Sequence, residues 1–452
     1  MRIPALTSSD NTRKTWDPNG AIIMATNRIL QTGLTALAVA ILMATTACAN
    51  PNRALEPSEA SVMAPDGAMS FYDYVETTRR QLHDVLSETR FSNEEKPFGD
   101  YSIDQVVEMR APYALGPVES ACNTEDAARN GKGTGFLLVH GLTDSPYWLS
   151  NIRDNLRDRF PCAAFHGVLL PGHGTVPGDL IDVTYQDWLE TVRYGMTSFG
   201  NDIEHVIPIG FSTGAALIGR VYQEQTDKGR ISALVMLSPG LAAKSDQAWL
   251  TPYVRYVKDW VGVGENNDPG KYGSMAMNAA AEFYLLTRPF GDGSLPDFDV
   301  PVFGVVSSDD QTINPELVRD FICNKVTSRQ KYLIWYQGKI TPENDSATCE
   351  DIETVRSENH QMRTLNHAHT AITMSPEDPV YGLDGSVPDC GHYDDATARS
   401  RCQSETDVLY GERNLFDDAP AGTLRRGTFN PDFAGMMDKM ASFIATTLIA
   451  NK

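Results

Sequence analysis

The stretch Ile207-Pro208-Ile209-Gly210-Phe211-Ser212-Thr213-Gly214-Ala215-Ala216-Leu217 decides how the rest of the chain is read. His205 to Ile209 is mostly apolar and β-branched and predicts a strand; a tight turn follows, and a helix is expected from about Thr213. Gly210 and Gly214 flank the serine as G-x-S-x-G. A sharp strand-to-helix turn lifts the hydroxyl clear of the sheet, and side chains at those two glycines would collide with it. Ser212 is the candidate nucleophile. Glycine and serine are common, so the motif gains its weight from its surroundings.

A chain of 452 residues with 41% hydrophobic residues fills a sizeable core and is globular. Its formal charge of −21, with no Lys/Arg cluster, argues against nucleic acid as a partner. At the amino terminus Arg28 precedes an apolar run from Gly33 to Ala44, followed by Thr45-Thr46-Ala47-Cys48. That pattern is expected of a signal peptide over residues 1–48, too short in its apolar part to span a membrane comfortably. Ala47-Cys48 resembles a bacterial lipobox, which makes Cys48 the expected lipidation site; simple secretion is the alternative, and either Met1 or Met24 is the start. The expected location is the bacterial cell envelope, with a lipid anchor joining the chain to the membrane. Six further cysteines suggest disulfides in an exported chain, and proximity pairs Cys122 with Cys162, Cys323 with Cys349 and Cys390 with Cys402. None has the doubled C-x-x-C spacing of a zinc site, so neither metal nor cofactor is expected.

Residues 49–68, rich in Ala, Pro, Ser and Asn, read as a tether. Residues 69–133 read as an amino-terminal extension: an amphipathic helix from Met69 to Arg90, then an edge strand from Ile103 to Arg110. A core begins at Thr134, where Phe136-Leu137-Leu138-Val139 reads as a strand buried on both faces and ends in His140-Gly141. Helices and strands then alternate: helix from about Pro146 to Arg157, strand Ala163 to Leu170, helix Gln186 to Phe199, the strand–elbow–helix of Ser212, and strand Ile231 to Ser238. The alternation implies an α/β fold, a mostly parallel sheet covered by helices on both faces. Residues 134–240 form its first half and residues 301–452 its second, with an insertion at 382–427. Between them, residues 241–300 break the alternation and read as a cap whose aromatics, Trp249, Tyr253, Tyr256, Trp260, Tyr272, Phe283 and Tyr284, would line an apolar pocket or pack the insertion's own core.

A serine hydroxyl needs a base to take its proton and a third group to orient that base. After the strand Val302 to Val306, Asp309 and Asp310 both stand where a carboxylate could accept from an imidazole; either could instead cap the helix at Glu316. Past the strand Lys331 to Gln337 lie His367 and His369; His83, His140, His360 and His392 are the alternatives. The order serine, acid, histidine is the one that goes with a serine on a strand-to-helix elbow.

Five stretches in this order carry a resemblance: Val139-His140-Gly141-Leu142-Thr143-Asp144-Ser145-Pro146, Leu170-Pro171-Gly172-His173-Gly174-Thr175, Gly210-Phe211-Ser212-Thr213-Gly214, Asp310-Gln311-Thr312-Ile313-Asn314-Pro315, and His369 ahead of Pro376-Glu377-Asp378-Pro379. With them, residues 134–240, 300–372 and the helix from Pro431 to Ala450 resemble the α/β-hydrolase superfamily. The likeness is to its bacterial carboxylesterase and monoacylglycerol-lipase-like branch, of lysophospholipase or serine aminopeptidase type. The resemblance implies a Ser212–Asp310–His369 triad and favours Asp310 over Asp309 and His369 over His367. It also implies an oxyanion hole built from the backbone N–H groups of Leu142 and Thr213. A serine esterase acting on short-to-medium acyl esters, monoglycerides or lysolipids is the expected function. One alternative is an aminopeptidase or amidase, with Glu282 or Asp259 of the cap meeting a free amine; another is a non-catalytic envelope lipoprotein using the fold as a binding scaffold.

Overall fold

The computed structural model describes residues 53–60, 64–92, 94–122, 131–225, 228–338, 349–413 and 423–450. The leader, Cys48 and part of the tether therefore lie outside the described residues, which all belong to the compact unit Asn52–Lys452. The strands are β1 (Tyr113–Leu115), β2 (Thr134–Val139), β3 (Ala164–Val168), β4 (His205–Phe211), β5 (Leu234–Leu237), β6 (Trp260–Gly262), β7 (Met275–Ala276), β8 (Val302–Ser307), β9 (Lys331–Gln337), β10 (Ile352–Arg356), β11 (Val408–Gly411) and β12 (Thr423–Arg426). Eight of them form one sheet in the order β1-β3-β2-β4-β5-β8-β9-β10. Only the edge pair β1–β3 is antiparallel; every other neighbour is parallel.

Why the central strands are apolar throughout follows from the two layers that cover them. Along β2, Leu137 and Val139 join one buried cluster while Phe136 and Leu138 join the other. β9 alternates the same way, Leu333 and Trp335 against Ile334 and Tyr336. The first cluster is completed by the helices Tyr185–Thr197, Thr213–Glu224 and Met277–Gly291, the second by Ser150–Arg159 and Phe433–Ala450. A strand with no wet face has no polar positions to alternate, and each large side chain buried this way contributes about 1.5–3 kcal/mol.

Ile103–Arg110 is a helix, which corrects the edge strand expected there. A capping box fixes its start: Ser102 Oγ accepts from the Gln105 N–H and Gln105 Oε1 accepts from the Ser102 N–H. Its buried face is Val106, Val107, Met109 and Arg110, a helical spacing read as a strand's alternation. The edge strand is the shorter Tyr113–Leu115. The helix Phe71–Leu86 starts at Ser70, whose side chain accepts from the Asp73 N–H, and packs on the sheet edge: Tyr74 Oη donates to Leu169 O at 3.1 Å and Phe71 stacks on His166.

The cap aromatics divide. Trp249, Tyr253 and Tyr256 are exposed, whereas Tyr272 is buried and stacks on His173. The helix Met277–Gly291 sinks Leu286 and Phe290 into the main core. Disulfides join Cys122 to Cys162, Cys323 to Cys349 and Cys390 to Cys402. The last lies in the 382–427 insertion, where the helix Ala396–Ser404 packs beside the parallel pair β11–β12. Among the described residues no helix is long and apolar enough to cross a membrane.

Candidate active site

β4 runs into Ser212 and the helix Thr213–Glu224 leaves it directly, so the serine turns the chain by itself at φ 53° and ψ −115°. A non-glycine residue at positive φ costs about 1–3 kcal/mol and persists only where packing over-determines it. Here the packing is extreme. A Cβ on Gly214 would stand 2.1 Å from Val139 O, and one on Gly210 would stand 2.5 Å from the Ala215 nitrogen. Both flanking positions are closed to any side chain, and the elbow presses against the end of β2.

The acid comes from the end of β8. Asp310 is fully buried, and its Oδ1 accepts the N–H groups of Thr312 at 2.7 Å and Ile313 at 2.9 Å. That turn leaves Oδ2 free for the imidazole: His369 Nδ1 donates to it at 2.6 Å, and Ser212 Oγ donates to His369 Nε2 at 2.9 Å. Three side chains from three strand-end loops thus form one hydrogen-bonded line.

The rival candidates are engaged elsewhere. Asp309 Oδ2 accepts from Asn366 Nδ2 at 2.8 Å, and the N-cap of the helix Pro315–Asp320 is Asn314, not either aspartate. His367 is bonded at both ring nitrogens, to Ser357 Oγ and Asn430 Oδ1, and stacks on Tyr336; burial lowers its pKa to about 4. His83 is partly exposed and His360 largely so. His140 is buried, with Nδ1 donating to Gly141 O and Nε2 accepting from the Leu170 N–H, and burial drives its pKa well below the usual range.

Thr213 follows the serine directly, and Leu142 follows Gly141, where an added Cβ would stand 3.1 Å from Ser212 Cβ. Thr213 is the first residue of its helix, where the N–H has no partner within the helix. Among the described residues neither the Thr213 nor the Leu142 backbone N–H has a hydrogen-bond acceptor. The loop that carries Leu142 is held by a residue to which the sequence reading assigned no role. His173 donates from Nδ1 to Pro171 O and accepts the Thr143 N–H at Nε2, 3.0 Å away, and its pKa falls to about 4 because it is buried. The Pro171-Gly172-His173-Gly174 segment was the available signal.

The 382–427 insertion also reaches the site. Glu412 Oε2 accepts the backbone N–H of His369 at 3.2 Å, and Arg426 pairs with Glu412 at 3.1 Å while donating to Thr312 Oγ1 beside the acid. Of the cap acids expected to meet an amine, Glu282 is taken by Arg255 and by the Tyr185 N–H, and Asp259 is exposed. Phe283 does reach the centre, since its ring and the Ser212 backbone both lie about 3 Å from where a Gly240 Cβ would be. A surface recess lined by Leu241, Phe290, Phe298 and Leu317 includes none of the three hydrogen-bonded residues.

A family model described as the alpha/beta hydrolase family matches residues 136–398. Solved structures similar to the chain include a metagenome-derived lipolytic enzyme, at 18% identity and a TM-score of 0.42, covering 50% of this chain and 87% of that one. Others are a monoglyceride lipase from Saccharomyces cerevisiae, at 13% identity and 0.41, covering 50% and 81%, and a monoacylglycerol lipase from Paleococcus ferrophilus, at 18% and 0.39, covering 50% and 88%. No curated protein matches the chain. The family match spans more than half of the sequence, from β2 through the serine elbow and the acid and histidine loops, and the chain belongs to the alpha/beta hydrolase family.

Proposed function

We propose that the protein is a serine hydrolase that cleaves carboxylic esters through an acyl-enzyme on Ser212. The observation that carries this reading is the line Ser212 Oγ–His369 Nε2 at 2.9 Å and His369 Nδ1–Asp310 Oδ2 at 2.6 Å. In the proposed cycle His369 takes the Ser212 proton as Oγ attacks the ester carbon, and Asp310 holds the ring in the tautomer that leaves Nε2 free to accept. The carbonyl oxygen becomes an oxyanion facing the Leu142 and Thr213 N–H groups, each such donor contributing about 3 kcal/mol to the transition state. His369 then protonates the leaving alcohol, and water, activated the same way, releases the acid. Short-to-medium acyl esters, monoglycerides and lysolipid-type esters are the proposed substrates. Export and anchoring through Cys48 are proposed from the leader alone.

The test is to incubate the protein with a fluorophosphonate probe and with p-nitrophenyl esters of graded chain length. Stoichiometric labelling at Ser212 and ester turnover, both lost in Ser212→Ala, are expected. An intact fold that neither labels nor turns over any ester would remove the hydrolase reading.

A further inference from the structure

Around the three hydrogen-bonded residues lies a group of buried charges that the proposed cycle does not use. Lys271, from the cap, pairs with Asp389 of the 382–427 insertion at 3.0 Å, and Arg426 pairs with Glu412. Asp268 accepts from the Tyr381 hydroxyl and from the N–H groups of Gly270 and Lys271. Asp144 differs from all of these. It is only 7% exposed, and among the described residues its carboxylate has neither a hydrogen bond nor a cation at ion-pair distance. An aspartate in a turn usually accepts a backbone N–H two or three residues on, as Asp268 and Asp310 do here. Asp144 has only its own N–H engaged, to Gly141 O, so the turn does not account for the side chain.

Its position is close to the chemistry. Asp144 Oδ2 and Ser212 Cβ lie 2.4 and 3.1 Å from the same point, the place a Cβ on Gly141 would occupy. A lone anion beside the site of a developing oxyanion opposes the charge that forms there. In the free protein burial counters this by raising the Asp144 pKa to about 7, with Lys271 and His369 pulling the other way. A buried carboxylate without a partner is costly, and the nearby basic side chains are already matched to Asp389 and Glu412.

Resting on the Ser212 reading, we infer that Asp144 binds a protonated amine on the alcohol side of the scissile ester, so that the preferred substrates are esters of amino alcohols. The amine supplies the missing cation, satisfies the carboxylate and removes the charge that opposes the oxyanion. This places the amine contact on the loop after β2, in a position the cap residues Glu282 and Asp259 do not fill.

Two esters of the same shape test the inference: dimethylaminoethyl acetate, which is cationic at neutral pH, and isopentyl acetate, with carbon in place of nitrogen. Their kcat/KM ratio, normalised to hydroxide-catalysed hydrolysis of the same pair, is expected to favour the amine by about tenfold or more in the wild type. Asp144→Asn should bring the ratio close to unity, with fluorophosphonate labelling at Ser212 showing that the variant is folded. A wild-type ratio near unity overturns the inference and needs no variant; so does a preference that survives in a labelled Asp144→Asn protein. If the wild type neither labels nor hydrolyses isopentyl acetate, it is the Ser212 reading that fails, and the amine site goes with it.

Discussion

Asp310 makes two kinds of hydrogen bond with its two oxygens, and that division is what its role depends on. Oδ1 is held by the N–H groups of Thr312 and Ile313, so the carboxylate cannot rotate away from His369. An asparagine in its place can present its NH2 to Nδ1, which favours the wrong imidazole tautomer and leaves Nε2 protonated. Asp310→Asn is therefore expected to lower kcat by about 10³–10⁴-fold while KM changes little, as measured on a p-nitrophenyl ester. Asp309, one residue away and equally buried, is bonded to Asn366, so Asp309→Asn should act on stability far more than on the pH profile of kcat.

At the level of elements, the strand ends present the serine, acid and histidine, while the 382–427 insertion locks two of those loops together. Glu412 follows β11, Arg426 ends β12, and between them they touch the His369 backbone and Thr312 in the acid turn. Glu412→Ala would leave the Arg426 guanidinium buried without its partner and the His369 N–H without an acceptor. A buried pair broken on one side costs about 3–5 kcal/mol, so a clear drop in unfolding free energy is expected, accompanied by a fall in kcat rather than a rise in KM. Denaturant unfolding and steady-state kinetics on the same variant check both parts. If kcat is unchanged, the insertion stabilises the fold without positioning the histidine.

For the whole molecule, three buried histidines, His140, His173 and His367, stay neutral because burial outweighs their hydrogen bonds. Each is easier to protonate unfolded than folded, so the unfolded chain binds more protons below the ordinary histidine pKa near 6.5, and stability falls as pH drops towards about 4. One such group contributes a slope of at most about 1.4 kcal/mol per pH unit. Asp144 and Asp268, whose pKa values burial raises, act in the opposite direction over part of this range. His367→Gln isolates one term: the stability gap between wild type and variant should narrow as pH falls from 6.5 to 4, followed by thermal unfolding. A gap independent of pH would mean that His367 titrates alike in both states. The α/β alternation, the G-x-S-x-G elbow and the order of serine, acid and histidine were legible in the chain, because strand burial, turn sterics and chain order are local properties written residue by residue. Ile103–Arg110 was misread because an eight-residue segment with a buried arginine fits either period until its neighbours are known. The part His173 plays, the reach of Glu412 and Arg426 into the site and the unmatched charge of Asp144 were decided only by the tertiary structure. Each depends on which side chain faces which across long stretches of chain, 43 residues between His369 and Glu412 and 114 between Thr312 and Arg426, and spacing along a chain carries no information about such pairings.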